Sequence, residues 1–282
     1  MPVTRERRET TLRIAGADLP LRTRGAGAPV LLLHGVPGDE ETLEPVAEAL
    51  AAGWRAMTLG QRHAGPGPHG TRPFGTAQQR DDLVGVIGAL DAGPVHLVAW
   101  SYAAHAALAV AASRPDLVRS LLVYEPGFPT FVEDGDAAER IARDTAAAFG
   151  PVFEALGAGE VQEAVRRSID AAAGRPGWFD RQPARVRAVH RRCAHQLALL
   201  GGQTPPLPLD AAALRSIRVP TTVARGAETR ACYALVSDCA AGLIPLADRV
   251  SVAGANHLLP EADPAAFASL VRRHLMRAPT PS

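Results

Sequence analysis

Ser101 stands in the stretch His96–Leu108, HLVAWSYAAHAAL, where a run of strand-forming apolar residues gives way to helix formers. A serine at such a junction is a nucleophile if the turn is sharp enough to lift its hydroxyl clear of the chain. A turn that sharp presses together the residues two before and two after it. Those residues are Ala99 and Ala103, in place of the glycines of a G-x-S-x-G frame. Small size is the physical requirement, and alanine is the next smallest choice. The competing reading is a serine in an ordinary solvated turn.

Nucleophilic attack by a serine also needs a base and a cradle for the oxyanion. His257 lies in VSVAGANHLLPEADP, a turn after the last expected strand, and a base there can reach Ser101 across a sheet. His34-Gly35 ends the apolar run Val30–Leu33. The turn it begins can aim backbone N–H groups at a developing oxyanion, with Val36 and Tyr102, the residue after the serine, as donors and Gly35 between. His34 itself reads as a histidine that holds this turn. Among the other histidines, His190 and His195 with Cys193 superficially resemble a metal cluster. On one helix those histidines point roughly 140° apart at roughly 100° per residue, so no metal site is expected.

These groups need strand ends to stand on. Val30–Leu33, Trp54–Leu59, Val95–Trp100 and Leu117–Tyr124 read as strands, with Thr11–Ile14 and Leu19–Thr23 as an N-terminal hairpin. Helices are expected over Glu41–Ala52, Thr76–Leu90 and Tyr102–Ser113. From about Gly127 to Ile217 no strand is evident, and helices are expected near Ala137–Phe149, Glu160–Ala173 and Ala184–Leu200. Alternation resumes with strands at Val219–Arg225 and Arg249–Ala253 and helices at Cys232–Gly242 and Pro264–Met276. Repeated βα units imply a mostly parallel sheet with helices on both faces. Residues 1–126 and 218–282 then form the core, and 127–217 an inserted helical lid. All three chemical features fall at the carboxyl ends of expected strands, where open α/β sheets bind ligands.

Composition removes other classes. The chain has 282 residues, 47% hydrophobic, with a formal charge of +1, so nothing marks it for nucleic acid or a membrane surface. All of its basic residues are arginine, which excludes a Schiff-base lysine and a phosphate-loop lysine. Cys193, Cys232 and Cys239 form no disulfide or zinc pattern. Neither a signal segment nor a run of about 18 apolar residues is evident, and a cytoplasmic setting is expected.

LLLHGVPGD, VHLVAWSYAAHAAL, RPDLVRSLLVYEP and VAGANH together resemble the oxyanion turn, nucleophile elbow, following strand and base loop of the α/β-hydrolase superfamily, over nearly the whole chain. The departures are the elbow alanines and LGQRHAGPGP, Leu59–Pro68, where many members carry an Asp-x-Arg-Gly-type loop. The resemblance implies an α/β-hydrolase fold and an acid to orient His257. Many members place that acid after the penultimate strand, where Glu228 is the one acid of Gly226–Arg230. Others place it after the strand that follows the elbow helix, where Glu125 stands in LLVYEPGFP. Glu125 is favoured, because a carboxylate ending an apolar strand needs a partner; Glu228 stays as the alternative. The late Pro205-Pro206 and GAET add a likeness to lactonases of the zearalenone-hydrolase type.

The resulting expectation is a serine hydrolase of esters or lactones that needs no cofactor and takes a hydrophobic small molecule, with a homodimer left open. Trp100, Trp178, Gln196 and Leu200 are candidate substrate contacts. A non-hydrolytic or C–C bond-cleaving tailoring enzyme of secondary metabolism on the same fold is the alternative, and a non-catalytic binding protein is a third reading. An epoxide hydrolase or dehalogenase is disfavoured, since those relatives carry aspartate where Ser101 stands.

Overall fold

The computed structural model describes residues 7–64 and 73–277. Its centre is an eight-stranded sheet: β1 (Arg8–Ile14), β2 (Ala17–Arg24), β3 (Pro29–Leu33), β4 (Arg55–Leu59), β5 (Val95–Trp100), β6 (Val118–Tyr124), β7 (Thr221–Gly226) and β8 (Ala247–Val252). The spatial order is β1-β2-β4-β3-β5-β6-β7-β8, with β1 and β2 antiparallel and β3 to β8 mutually parallel. The central strands β3 and β5 are buried throughout, which is why they read as apolar runs, broken only by His96, rather than alternating ones. The edge strand β8 carries Asp248 and Arg249 on a largely open surface, which discourages edge-to-edge pairing.

Alternate residues of each strand feed two apolar layers. Leu31, Leu33, Leu97, Ala99, Leu121 and Val123 pack against α2 (Thr76–Leu90), α3 (Tyr102–Ser113) and α10 (Ala231–Leu243). Val30, Leu32, Val98, Trp100, Leu122 and Tyr124 pack against α1 (Glu44–Leu50) and α12 (Pro264–Arg277). Helices therefore cover both faces, as expected. The helix expected from Glu41 starts at Glu44 instead, and Pro45 in its first turn fixes that start, since proline lacks the N–H that a later position would need.

Between β6 and β7 the chain leaves the sheet for six helices: α4 (Gly135–Gly157), α5 (Val161–Ala173), α6 (Trp178–Arg181), α7 (Ala184–Arg192), α8 (His195–Gly201) and α9 (Ala211–Ser216). Two of these differ from expectation. α4 does not end at Phe149 but runs through Pro151, because its buried face continues with Val152 and Ala155 against α5. The single helix expected over Ala184–Leu200 is two, broken at Cys193-Ala194. The short α11 (Leu259–Ala262) precedes α12.

Register lines up the strand ends that matter. Leu33 pairs with Ala99, Trp100 with Tyr124, Tyr124 with Ala224, and Gly226 with Val252. The residues just beyond these ends, His34-Gly35, Ser101, Glu125 and the loop to His257, thus emerge along one edge of the sheet.

Candidate active site

Ser101 has φ 58° and ψ −118°, between the end of β5 and the first residue of α3. A positive φ on a side-chain-bearing residue is strained and must be held. Its N–H donates to the Tyr124 carbonyl at 3.0 Å, and its own carbonyl accepts from Ala104 at 3.1 Å and Gly127 at 3.3 Å. Ala99 and Ala103 are both buried beneath this turn. Gly35 packs closely on the serine: an added Cβ there would lie 3.1 Å from Ser101 Cβ and 3.4 Å from the Trp100 ring. The Tyr102 N–H sits at the helix start, where no intrahelical acceptor exists, and Val36 follows Gly35; both residues line the cavity above Ser101. His34 holds the turn: Nδ1 lies 2.7 Å from the Gly35 carbonyl, and the Gln61 amide donates to the His34 carbonyl at 2.7 Å. Burial pushes its pKa down, which favours the neutral ring.

His257 Nε2 lies 2.9 Å from Ser101 Oγ, and its Nδ1 lies 2.7 Å from Glu125 Oε2. Glu125 is itself at φ 49° and is 0% exposed. Its Oε1 accepts from the Gly226 N–H at 2.7 Å and its Oε2 from the Thr229 hydroxyl at 2.7 Å. With His257 that makes three donors for one buried carboxylate, enough to offset the cost of burying it. Glu228, the alternative acid, has a side chain 45% exposed and pairs with Arg175; it does not meet His257. Its loop still matters, because Gly226 and Thr229 anchor Glu125. Gly226 must be glycine: an added Cβ would stand 2.2 Å from the Ala255 carbonyl oxygen.

The base loop is braced on several sides. The Tyr233 ring stacks on His257 at 3.7 Å and 8°. Trp100 Nε1 donates to the His257 carbonyl at 3.0 Å, and the Tyr124 hydroxyl to the Asn256 carbonyl at 2.7 Å. Asn256 Nδ2 donates to Ala173 of α5 at 3.2 Å, tying the base loop to the insertion.

The break between α7 and α8 has a consequence for the oxyanion turn. Gln196 Oε1 accepts from the Gly38 N–H at 3.0 Å, and Nε2 donates to the Gly38 and His63 carbonyls at 2.8 and 3.0 Å. Arg192 Nε donates to Asp39 at 2.6 Å. His190 lies 3.1 Å from the Pro37 carbonyl and 3.0 Å from Glu261, a buried pair. Burial pushes the His190 pKa down, but the Glu261 carboxylate outweighs this and raises it. One side of the insertion is therefore fastened onto residues 37–39, next to Val36. Gln196 is spent on the backbone, and neither it nor Trp178 is among the residues lining the cavities at Ser101, whereas Trp100 and Leu200 are. On the expectation that the Val36 N–H holds the oxyanion of an ester substrate, Gln196→Leu should lower kcat about tenfold while KM moves little, since it slackens that donor without deleting it; steady-state kinetics on one ester checks this.

Two cavities meet at Ser101. The smaller, about 70 Å³, is lined by Trp100, Ile169, His190, Leu197 and His257 among others. The larger, about 430 Å³, runs under α4 and is lined by Tyr102, Phe128, Ile141, Ala142 and Cys232 among others. Burial raises the Cys232 thiol to about 12, so it faces the large cavity as a thiol. Three further histidines are tied into the fold: His96 and His274 share the Ser120 hydroxyl inside the core, and burial lowers both to about 4. His105 is bonded to the Leu207 carbonyl at 2.7 Å. Among the described residues no three His, Cys, Asp or Glu side chains could hold a metal ion, and no helix is long and apolar enough to cross a membrane. Of LGQRHAGPGP, residues 65–68 lie outside the described residues; Arg62 pairs with Asp82 at 2.7 Å in the core.

Comparison with known proteins adds a lineage. A profile of the alpha/beta hydrolase family matches residues 30–270. The chain is 26% identical over 255 residues to a 2-(acetamidomethylene)succinate hydrolase of Mesorhizobium japonicum, covering 89% of each. It superposes on an alpha/beta hydrolase from Sphaerobacter thermophilus with a TM-score of 0.70 and 25% identity, covering 94% of this chain and 100% of that one. An enol-lactonase from Burkholderia xenovorans shares the fold at a TM-score of 0.67 and 17% identity, covering 95% of this chain and 100% of that one.

Proposed function

The chain belongs to the alpha/beta hydrolase family, and from that premise we propose that it is a serine hydrolase cleaving an ester or lactone bond of a hydrophobic small molecule through an acyl-enzyme. The observation that carries this is the unbroken hydrogen-bonded series Ser101–His257–Glu125 beneath a cavity with apolar walls. Ser101 Oγ attacks the substrate carbonyl carbon as its proton passes to His257 Nε2. Glu125, already on Nδ1, stabilises the imidazolium. The oxyanion sits against the Val36 and Tyr102 N–H groups, with Gly35 leaving room for it. When the C–O bond breaks, the departing oxygen takes the proton from Nε2. Water then adds to the acyl group by the same route in reverse, releasing the acid and restoring Ser101.

In this reading residues 127–217 are a lid, and Phe149, Phe153 and Leu200 cover the serine from it. The hydrolase name of the Mesorhizobium relative supports a hydrolytic reaction. Three cysteines that form no disulfide fit a reducing, cytoplasmic setting. A panel of short-alkyl esters of hydrophobic carboxylic acids, with acid release followed in a pH-stat, tests the reaction class. We expect kcat/KM on the order of 10⁴ M⁻¹s⁻¹. No release above the blank across the panel would set the reading aside in favour of other chemistry on this fold.

A further inference from the structure

The two cavities at Ser101 are unequal, and the active-site groups are divided between them. Ser101, Val36 and Tyr233 line both. His257 lines the small one alone; Tyr102 and Gly127 line the large one alone. That division sets a direction on a substrate. In the tetrahedral intermediate the leaving oxygen must face the imidazole that protonates it, so the alkoxy group points into the small cavity. The oxyanion takes the N–H groups, and the acyl chain is left with the large cavity.

Size then fixes what each part can be. An apolar cavity of about 150 Å³ holds benzene, so the small cavity, about 70 Å³, is sized for an alkoxy group of roughly one to three carbons. The large cavity, about 430 Å³, falls within the range that takes a drug-sized ligand, and its walls include Phe128, Ile141, Phe149 and Phe153. We propose that the substrates are short-alkyl esters of bulky hydrophobic carboxylic acids, not short-acyl esters of bulky alcohols. This rests on the serine-hydrolase reading above. The step is a complete one: Ser101 Oγ bonds the acyl carbon, the C–O bond to the alkoxy group breaks with its electron pair on oxygen, and His257 returns the proton to give a small free alcohol.

A pair of isomers tests it directly. Methyl ω-phenylvalerate and ω-phenylbutyl acetate have the same atoms and similar alkoxide leaving groups, but the ester is reversed. We expect kcat/KM at least about tenfold higher for the methyl ester, the scale on which a pocket discriminates a few methylenes. A smaller ratio, or the reverse preference, overturns the proposal. If neither ester is cleaved while a phosphonate still labels Ser101, the substrate class is wrong and the serine reading stands; if no label forms, the serine reading fails and this proposal with it. Ile169 walls the small cavity alone. Ile169→Ala should raise the rate on butyl relative to methyl ω-phenylvalerate several-fold, a ratio taken within one preparation that a general loss of folding would not move.

Discussion

Exchanging Glu125 for glutamine should lower kcat by about 10⁴-fold, while Glu228→Gln should change it by no more than about twofold. The difference follows from what each carboxylate meets. Glu125 accepts from three donors: His257 Nδ1, the Gly226 N–H and the Thr229 hydroxyl. An amide keeps the shape but replaces one acceptor oxygen with a donor. Wherever that NH₂ turns, it either faces another donor or forces His257 into the tautomer whose Nε2 cannot take the serine proton. The same exchange at the triad aspartate of a serine protease is the source of the figure of about 10⁴. Glu228 has a half-exposed side chain and an exposed arginine partner, and such pairs contribute about 1 kcal/mol or less. Steady-state kinetics on a single ester, with circular dichroism to confirm folding, decides it. Comparable losses in the two variants, or a larger loss at Glu228, would overturn the assignment of the acid.

Ser101→Ala should cost more, about 10⁶ in kcat, the scale seen when a triad nucleophile is removed. The substitution is conservative where it stands. The turn is held by backbone bonds to Tyr124, Ala104 and Gly127, none of which involves the hydroxyl, and alanine keeps the Cβ that Gly35 already accommodates. The melting temperature should therefore stay within a few degrees of the parent. A loss of activity below tenfold in a folded variant would mean that another group attacks the carbonyl.

The parts of this site that local pattern reveals are the ones that stand at strand ends. Val30–Leu33 is a continuous apolar run, Val95–Trp100 is broken only by His96, and Leu117–Tyr124 ends in the apolar run Leu121–Tyr124; they stop at His34, Ser101 and Glu125, so sheet and edge follow from pattern and punctuation. What local pattern cannot reveal is which distant residue supplies each hydrogen bond. Gly226 and Thr229 are 101 and 104 residues from the carboxylate they hold, and Gln196 is 158 from the Gly38 backbone it fastens. Nothing near these residues in the chain marks them, except that Gly226 is a glycine at the end of a strand. The stacking of Tyr233 on His257 and the break between α7 and α8 are of the same kind. Both are set by tertiary contact and not by propensity, and so is the passage of α4 through Pro151.

The central claim is that Ser101 is the nucleophile, and covalent labelling tests it most directly. Incubating the protein with an alkyl fluorophosphonate and measuring intact mass should give a single adduct per chain, absent from Ser101→Ala. No adduct on the parent protein, or an adduct that persists in Ser101→Ala, would contradict the account.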